Sequence, residues 1–210
     1  MRISEIFYSL QGEARTAGIP TVFVRLSGCP LRCVYCDTEY AFRGGEWMSE
    51  QAVLEQVASY RCPLVCVTGG EPLAQKGCHS LLQSLCDAGY QVSLETSGAL
   101  AISGVDPRAS VVLDMKTPGS GESQRNLYDN LVLLRHKDQV KFVICDRADF
   151  DWSLELMLEH DLAARCEVLF SPAHGQLDAA QLARWILQQH LPVRLQLQLH
   201  KLLWGDERGR

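Results

Sequence analysis

Short, β-branched apolar runs recur along this chain, at Val22–Leu26, Leu64–Thr68, Val92–Glu95, Val111–Asp114, Val140–Ile144 and Val168–Phe170. Runs of this length and character predict strands buried on both faces. Helical patterns lie between most of them. Ser49–Tyr60 carries a Val53, Leu54, Val57, Ala58 stripe, and Leu81–Ala88 is stopped by Gly89. Asn126–Arg135, Trp152–Leu162 and Leu182–Gln189 repeat the pattern, the last preceded by Asp178 and stopped by Pro192. Only the link between the third and fourth strands, which holds Gly98, Gly104 and Pro107, reads as loop. Strands alternating with helices require right-handed crossovers and hence a parallel sheet.

A closed eight-unit barrel takes about 250 residues. With 210 residues and six such strands, the expected fold is α/β, an open partial (β/α)6 barrel with parallel strands. Val193–Leu199, VRLQLQL, alternates with period two and predicts a further edge strand covered on one face. The expected organisation is one domain over 1–210, with an N-terminal segment 1–21, a core of about 22–190 and a C-terminal edge strand and tail 191–210.

Lys and Arg total 20 against 25 Asp and Glu, a net charge of −5, which argues against a protein that coats nucleic acid. The opening MRISEIFYSLQGE carries Arg2 and Glu5 and lacks the apolar run of a secretion signal. No stretch approaches the roughly 18 apolar residues of a membrane span. The expectation is a soluble, cytoplasmic protein.

Nine cysteines, an odd number, exclude a complete disulfide framework. The tight set Cys29, Cys33 and Cys36 reads instead as metal-binding or catalytic in a reducing compartment. Three soft thiolates on one loop favour zinc or an iron–sulfur cluster. A closed zinc site wants four ligands, yet the next cysteine is Cys62 and the first histidine is His79. On a four-iron cluster, three thiolates leave one iron open to an external ligand.

Polar clusters fall where strands end: Cys29–Asp37, Thr68–Pro72, Glu95–Gly98, Asp114–Lys116 and Ser171–His174. In parallel α/β folds the carboxyl ends of strands face the ligand, so this chemistry is expected on one rim.

The spacing CPLRCVYC resembles the signature of the radical S-adenosylmethionine (SAM) superfamily, and Gly69-Gly70-Glu71-Pro72 resembles its glycine-rich motif. Glycines there let backbone approach a ligand without an intervening Cβ. The resemblance implies a modified radical SAM core, a 4Fe–4S cluster on Cys29, Cys33 and Cys36, and SAM on its open iron. A narrower set follows: YSLQGE at Tyr8–Glu13, Arg25, CDT at Cys36–Thr38 and QLHK at Gln198–Lys201. Together these are similar to the 7-carboxy-7-deazaguanine synthase (QueE) family, radical SAM lyases of queuosine biosynthesis that contract 6-carboxy-5,6,7,8-tetrahydropterin with loss of ammonia.

That resemblance implies roles position by position. Leu10, Gln11 and Gly12 would contact the pterin, and Arg25 its carboxylate, a task suited to a planar guanidinium. Thr68 and Glu95 would add substrate contacts and His200 would close over the site. Glu95 and His200 are the candidates for passing a proton during ammonia loss. Thr38 would place its hydroxyl on Mg²⁺. Tyr35, Cys36, Asp37, Gly70, Asp114, Met115, Lys116, Ser171, Pro172, Ala173 and His174 would line SAM. A flavodoxin-type electron donor and a homodimer are implied as well, with no direct nucleic-acid or membrane partner.

The tail departs from the family pattern. Relatives commonly end a few residues beyond His-Lys on a proline whose carboxylate reaches the substrate, whereas here Leu202–Arg210 follows. Asp206 or tail backbone is the candidate replacement. Two other readings use fewer of these residues. A glycyl-radical activase would share only the cysteines and the glycine motif, and a zinc-binding module only the cysteines.

Other eye-catching residues read as structural. Cys66, inside LVCVT, is expected as a small buried hydrophobe, and with it Cys62, Cys78, Cys86, Cys145 and Cys166. His79, His136, His160 and His190 read as surface or helix-end residues. Trp47, Trp152 and Trp185 are expected to pack.

Overall fold

The computed structural model describes residues 1–205 and 207–209; Asp206, the candidate substitute for a terminal carboxylate, lies outside the described residues. In chain order the elements are β1 (Arg2–Leu10), β2 (Pro20–Leu26), β3 (Glu46–Trp47), α1 (Glu50–Ser59), β4 (Leu64–Gly69), α2 (Cys78–Asp87), β5 (Gln91–Thr96) and β6 (Ser110–Met115). Then follow β7 (Gln139–Ile144), α3 (Arg147–Glu159), α4 (Leu162–Arg165), β8 (Glu167–Pro172), α5 (Ala179–Gln188), β9 (Arg194–Leu195) and α6 (Leu199–Trp204). One sheet orders them β3-β1-β2-β4-β5-β6-β7-β8-β9. The six expected strands, β2 and β4 to β8, run parallel in sequence order, and the barrel is not closed.

Each strand buries alternate residues under the helices. Val22, Val24 and Leu26 meet Val65 and Val67 beneath Val53 and Val57 of α1 and Leu81, Leu82 and Leu85 of α2. Farther along, Val140, Phe142 and Ile144 meet Val168 and Phe170 beneath Phe150 and Leu156 of α3 and Leu182 and Ile186 of α5. The intervening residues face the other, concave side, where Phe23, Cys66, Val112 and Leu169 are buried too, so the strands are buried on both faces as expected, with polar residues interspersed on this one. Arg25, Thr68, Glu95, Asp114 and Lys141 all occupy such positions and border a cleft.

Side chains that cap and tie explain the boundaries. Ser49 accepts a hydrogen bond from the Ala52 amide (3.1 Å), starting α1 where its sequence predicted. Asp146 accepts from the Asp149 amide (2.9 Å), so α3 starts at Arg147 rather than Trp152. It stops before Leu162 because Asp161 is left-handed.

The expected helix over Asn126–Arg135 does not form; the segment holds 3₁₀ turns at Ser123–Arg125 and Tyr128–Leu133. Its amides are committed elsewhere. Asn126 pairs with both backbone groups of Lys116, at 2.9 and 2.8 Å, and Asn130 bonds Ile102, Gly98 and Leu100.

Two further expectations are corrected. The N-terminal segment contains β1, antiparallel to β2 and β3. An irregularity between Ile3 and Glu5 puts Ile3 and Ile6, three apart, into the same core and hides the period of two. At the other end, only Arg194–Leu195 of Val193–Leu199 is strand. The Gln196 amide makes one more bond to Phe170 O (2.9 Å), and the chain then turns inward, where the Leu199 amide reaches Gly12 O (2.9 Å).

Trp152 and Trp185 pack against the second core, but Trp47 does not pack. It is 78% exposed on the edge strand, with the Arg2 guanidinium 5.9 Å from its ring. Cys62, Cys66, Cys78, Cys86 and Cys166 are buried free thiols and Cys145 is half-buried. Among the described residues no helix is long and apolar enough to cross a membrane.

Phe170 lies edge-on to Phe142 (5.6 Å) and Phe150 (5.7 Å) and is fully buried, which makes it the centre of the second core. Phe170→Ala is predicted to cost about 3–5 kcal/mol in equilibrium urea unfolding. A loss below about 1 kcal/mol would show that this aromatic group does not hold the fold.

Candidate active site

The cleft on the concave face has a volume of about 310 Å³. Its floor is built by register: Arg25 on β2 lies beside Thr68 on β4, and Asp114 on β6 beside Lys141 on β7. Arg25 Nε donates to Glu5 Oε1 (2.7 Å), which also accepts from Tyr40 OH (2.8 Å). The guanidinium lies 5.6 Å from the Phe7 ring and 5.9 Å from that of Tyr40, so its plane is set on several sides. Glu95 accepts from Gln11 Nε2 (3.2 Å) and Thr68 Oγ1 (2.9 Å). Cation, carboxylate, amide and hydroxyl are thus held together at one end of the cleft.

The loop joining β1 to β2 crosses this face and brings Gln11 with it. Its base closes through the Gln11 amide to Ile19 O (2.9 Å) and the Gly18 amide to Gln11 O (2.8 Å). Its tip is anchored by Arg15, whose amide donates to Gln139 Oε1 (2.6 Å) and whose Nε meets Glu167 Oε2 (2.9 Å). Between them Glu13 Oε2 lies 2.5 Å from Lys141 Nζ. Lys141 also reaches Asp114 (3.1 Å), and Asp114 reaches Lys116 (2.9 Å). Burial disfavours the charges of Asp114, Lys116 and Lys141, but the opposite charges outweigh it. The Asp114 carboxyl is held below its ordinary range, and both lysines are held above theirs.

The other end of the cleft is the cysteine loop. The Gly28 amide bonds Ala41 O (2.7 Å), and Gly28 O accepts from the Glu71 amide (2.8 Å). A Cβ on Gly70 would collide with the Gly28 carbonyl and the Cys29 side chain, so only glycine lets the two loops touch. Fully buried Glu71 accepts from the Leu73 amide, Thr96 Oγ1 and both the amide and hydroxyl of Ser97, joining the ends of β4 and β5. On the outer side, the Arg32 amide donates to Glu122 (2.6 Å) and the Val34 amide to Ser120 O (3.0 Å).

Cys29, Cys33 and Cys36 all line the cleft. Burial raises all three thiols above their usual range, Cys33 to about 11, so a bound metal centre is what would hold them as thiolates. Each thiolate of a four-iron cluster binds its own iron, so the sulfurs need not converge on one point. Among the described residues no three His, Cys, Asp or Glu side chains do.

Most of the other sequence-predicted residues gather here. Tyr35, Asp37, Thr38, Gly70, Lys116, Ala173 and His174 line the cleft. Tyr35 lies with its ring 5.9 Å from Lys116 Nζ. Thr38 Oγ1 donates to Asp37 Oδ1 (2.7 Å), which leaves its lone pairs for a cation. Met115 is different: its side chain lies in the core on the opposite face. Ser171 and Pro172 are buried and do not line the cleft.

The C-terminal segment closes the cleft from above. Gln198 Nε2 donates to Glu13 Oε1 (2.9 Å) and Asp37 Oδ2 (3.2 Å). His200 Nε2 lies 3.8 Å from Asp37. Burial works to raise the Asp37 carboxyl, but His200, Thr38 and Lys201 outweigh it and hold it well below the usual range. His200 rests on Gly12, where any Cβ would strike its Nδ1.

Glu5, Glu13, Glu71, Lys141 and Gln198 were not singled out as site residues from the sequence. Lys141 did carry a signal, as the one charged residue within the apolar run VKFVI. Glu13, Glu71 and Gln198 lay inside quoted motifs, whereas Glu5 had no signal of its own.

Residues 23–106 match the family model described as the Radical SAM superfamily. The 7-carboxy-7-deazaguanine synthase of Chlorobaculum tepidum is 44% identical, the match covering 100% of this chain and 97% of the relative. That of Koribacter versatilis is 41% identical, covering 99% and 98%. The crystal structure of QueE from Escherichia coli shares the fold, with a TM-score of 0.76 at 24% identity over 94% of this chain and 93% of that one. A cysteine rim facing an Arg25, Thr68 and Glu95 floor, in a chain related end to end to these synthases, places it in one family: the chain belongs to the 7-carboxy-7-deazaguanine synthase family of radical SAM enzymes.

Proposed function

We propose that this chain contracts 6-carboxy-5,6,7,8-tetrahydropterin to 7-carboxy-7-deazaguanine with loss of ammonia. The observation that carries the reading is the floor beneath the cysteine rim, where Arg25 stands beside Glu95, Thr68 and Gln11. A guanidinium suits the substrate carboxylate, and the carboxylate–amide–hydroxyl group suits the donor and acceptor edge of a pterin. Leu10 and Gly12 complete that floor from the loop, and His200 covers it.

The cofactors are a 4Fe–4S cluster, SAM and Mg²⁺. Cys29, Cys33 and Cys36 hold the cluster. Tyr35, Cys36, Asp37, Gly70, Asp114, Lys116, Ala173 and His174 would hold SAM, whereas Met115, Ser171 and Pro172 lie behind the cleft wall. Bound there and reduced by one electron through the cluster, SAM would supply radical chemistry that takes a hydrogen atom from C6 of the substrate and returns it after the ring contracts. The chain's own task is orientation and exclusion of water. Glu95, already hydrogen-bonded on both oxygens, fixes the pterin edge and with His200 moves the proton that ammonia carries away. Thr38, hydrogen-bonded to Asp37, would hold Mg²⁺, which would supply charge stabilisation for anionic oxygen on the substrate.

The protein acts as one domain over 1–210, with an N-terminal segment 1–21, a core of about 22–190 and a C-terminal tail 191–210. It works in the cytoplasm as a homodimer supplied by a flavodoxin-type donor.

Anaerobic incubation of the reconstituted protein with the carboxytetrahydropterin, SAM, reductant and Mg²⁺ is predicted to yield 7-carboxy-7-deazaguanine, read by mass. Absence of that product with an intact cluster would reject the reading. Thr38→Ala is predicted to flatten the response of rate to Mg²⁺, and an unchanged Mg²⁺ profile would remove Thr38 from the metal site. Gly12→Ala displaces His200 and is predicted to raise KM for the pterin by about tenfold or more. An unchanged KM would show that His200 does not cover the substrate.

A further inference from the structure

Lys141 is a cation placed where an α/β sheet normally carries an apolar residue. It stands on the concave face of β7 with a side chain only 13% exposed. Three carboxylates surround it: Glu13 at 2.5 Å, Asp114 at 3.1 Å, and Glu95 close enough to favour its charge. The carboxylates are not equally dependent on it. Asp114 keeps a second cation, Lys116, at 2.9 Å. Glu13 has Lys141 and, on its other oxygen, the neutral amide of Gln198. Removing Lys141 therefore strands Glu13 and spares Asp114.

Glu13 sits one residue after Gly12 and two after Gln11, on the loop whose other end Arg15 pins to β7 and β8. Through Gln198 it also holds the segment that carries His200. From this asymmetry we infer that Lys141 is a positioning residue for the pterin half of the site: by pairing with Glu13 it fixes the Leu10–Gly12 loop and the His200 segment, while the SAM half keeps its own ion pair. The inference rests on the pterin reading above for its kinetic consequence, but its structural consequence needs no substrate.

Lys141→Met keeps most of the side-chain volume and removes the charge. In the cluster-loaded protein it is predicted to raise KM for the carboxytetrahydropterin about tenfold or more, with KM for SAM and the spectrum of the reduced cluster unchanged. A second change, Glu13→Gln in the same chain, removes the stranded carboxylate and is predicted to return KM to within about threefold of wild type. A purely volumetric role for Lys141 would give no such recovery. Equal KM values in wild type and Lys141→Met, equal damage on the SAM side, or failure of the double variant to recover would each overturn the inference.

Amide hydrogen exchange of the ligand-free protein separates this from the functional reading. Lys141→Met is predicted to speed exchange at Gln11, Gly18 and Leu199, whose amides tie the loop and the C-terminal segment, and the double variant to slow it again. Unchanged exchange at these amides overturns the inference whether or not the wild type turns over the pterin.

Discussion

Charges on the concave face of an open sheet need more partners than the neighbouring strands supply, as Arg25 finds in Glu5 and Lys141 in Asp114. In water two such charges 4 Å apart attract by about 1 kcal/mol, and near a protein surface by about 4 kcal/mol, whereas an unpaired one in a closed cleft is costly. Here the further partners come from a loop that enters the opening. Glu13 answers Lys141, Gln11 answers Glu95, and Arg15 answers Glu167 at the far end. The same residues that neutralise the face also bring Leu10 and Gly12 to the floor. The contacts that fix the loop and those that complete this end of the cleft are thus the same.

The cofactor end follows a different rule. Its groups are held mainly by backbone contact, with Glu71 collecting donors from β5 while its own amide grips Gly28. Gly70 allows the contact and Asp149 braces the next loop through Thr117, Gly119 and Cys145. A loop supported this way keeps three thiols at fixed places without using any of them as a structural bond. The two ends meet at Asp37, which touches Thr38 on the cysteine loop and Gln198 on the closing segment.

Much of this architecture was legible in the sequence because strand ends and chemistry coincide. Arg25, Thr68, Glu95 and Asp114 each end or nearly end an apolar run, and all four border the cleft. The cysteine and glycine motifs were legible through their resemblance to the radical SAM signature. What was hidden depended on contacts distant in sequence. Glu13 and Lys141 are 128 residues apart, and nothing local to either announces the pair. β1 was concealed by the irregularity at Ile3 and Glu5, and the 3₁₀ turns before β7 by asparagines whose amides serve distant backbone. The period of two in Val193–Leu199 misled for a related reason, since the Leu199 amide is bound by Gly12 rather than by a strand.

The central claim is that the substrate floor and the cofactor rim face each other, so that C6 of the pterin lies where the radical arises. Single turnover with substrate deuterated at C6 tests this juxtaposition most directly. The account predicts deuterium at C5′ of the recovered SAM, because loss of ammonia from the carboxytetrahydropterin is redox-neutral and the hydrogen taken from C6 must be handed back through the cofactor. Product formed while C5′ of SAM stays free of deuterium would contradict it.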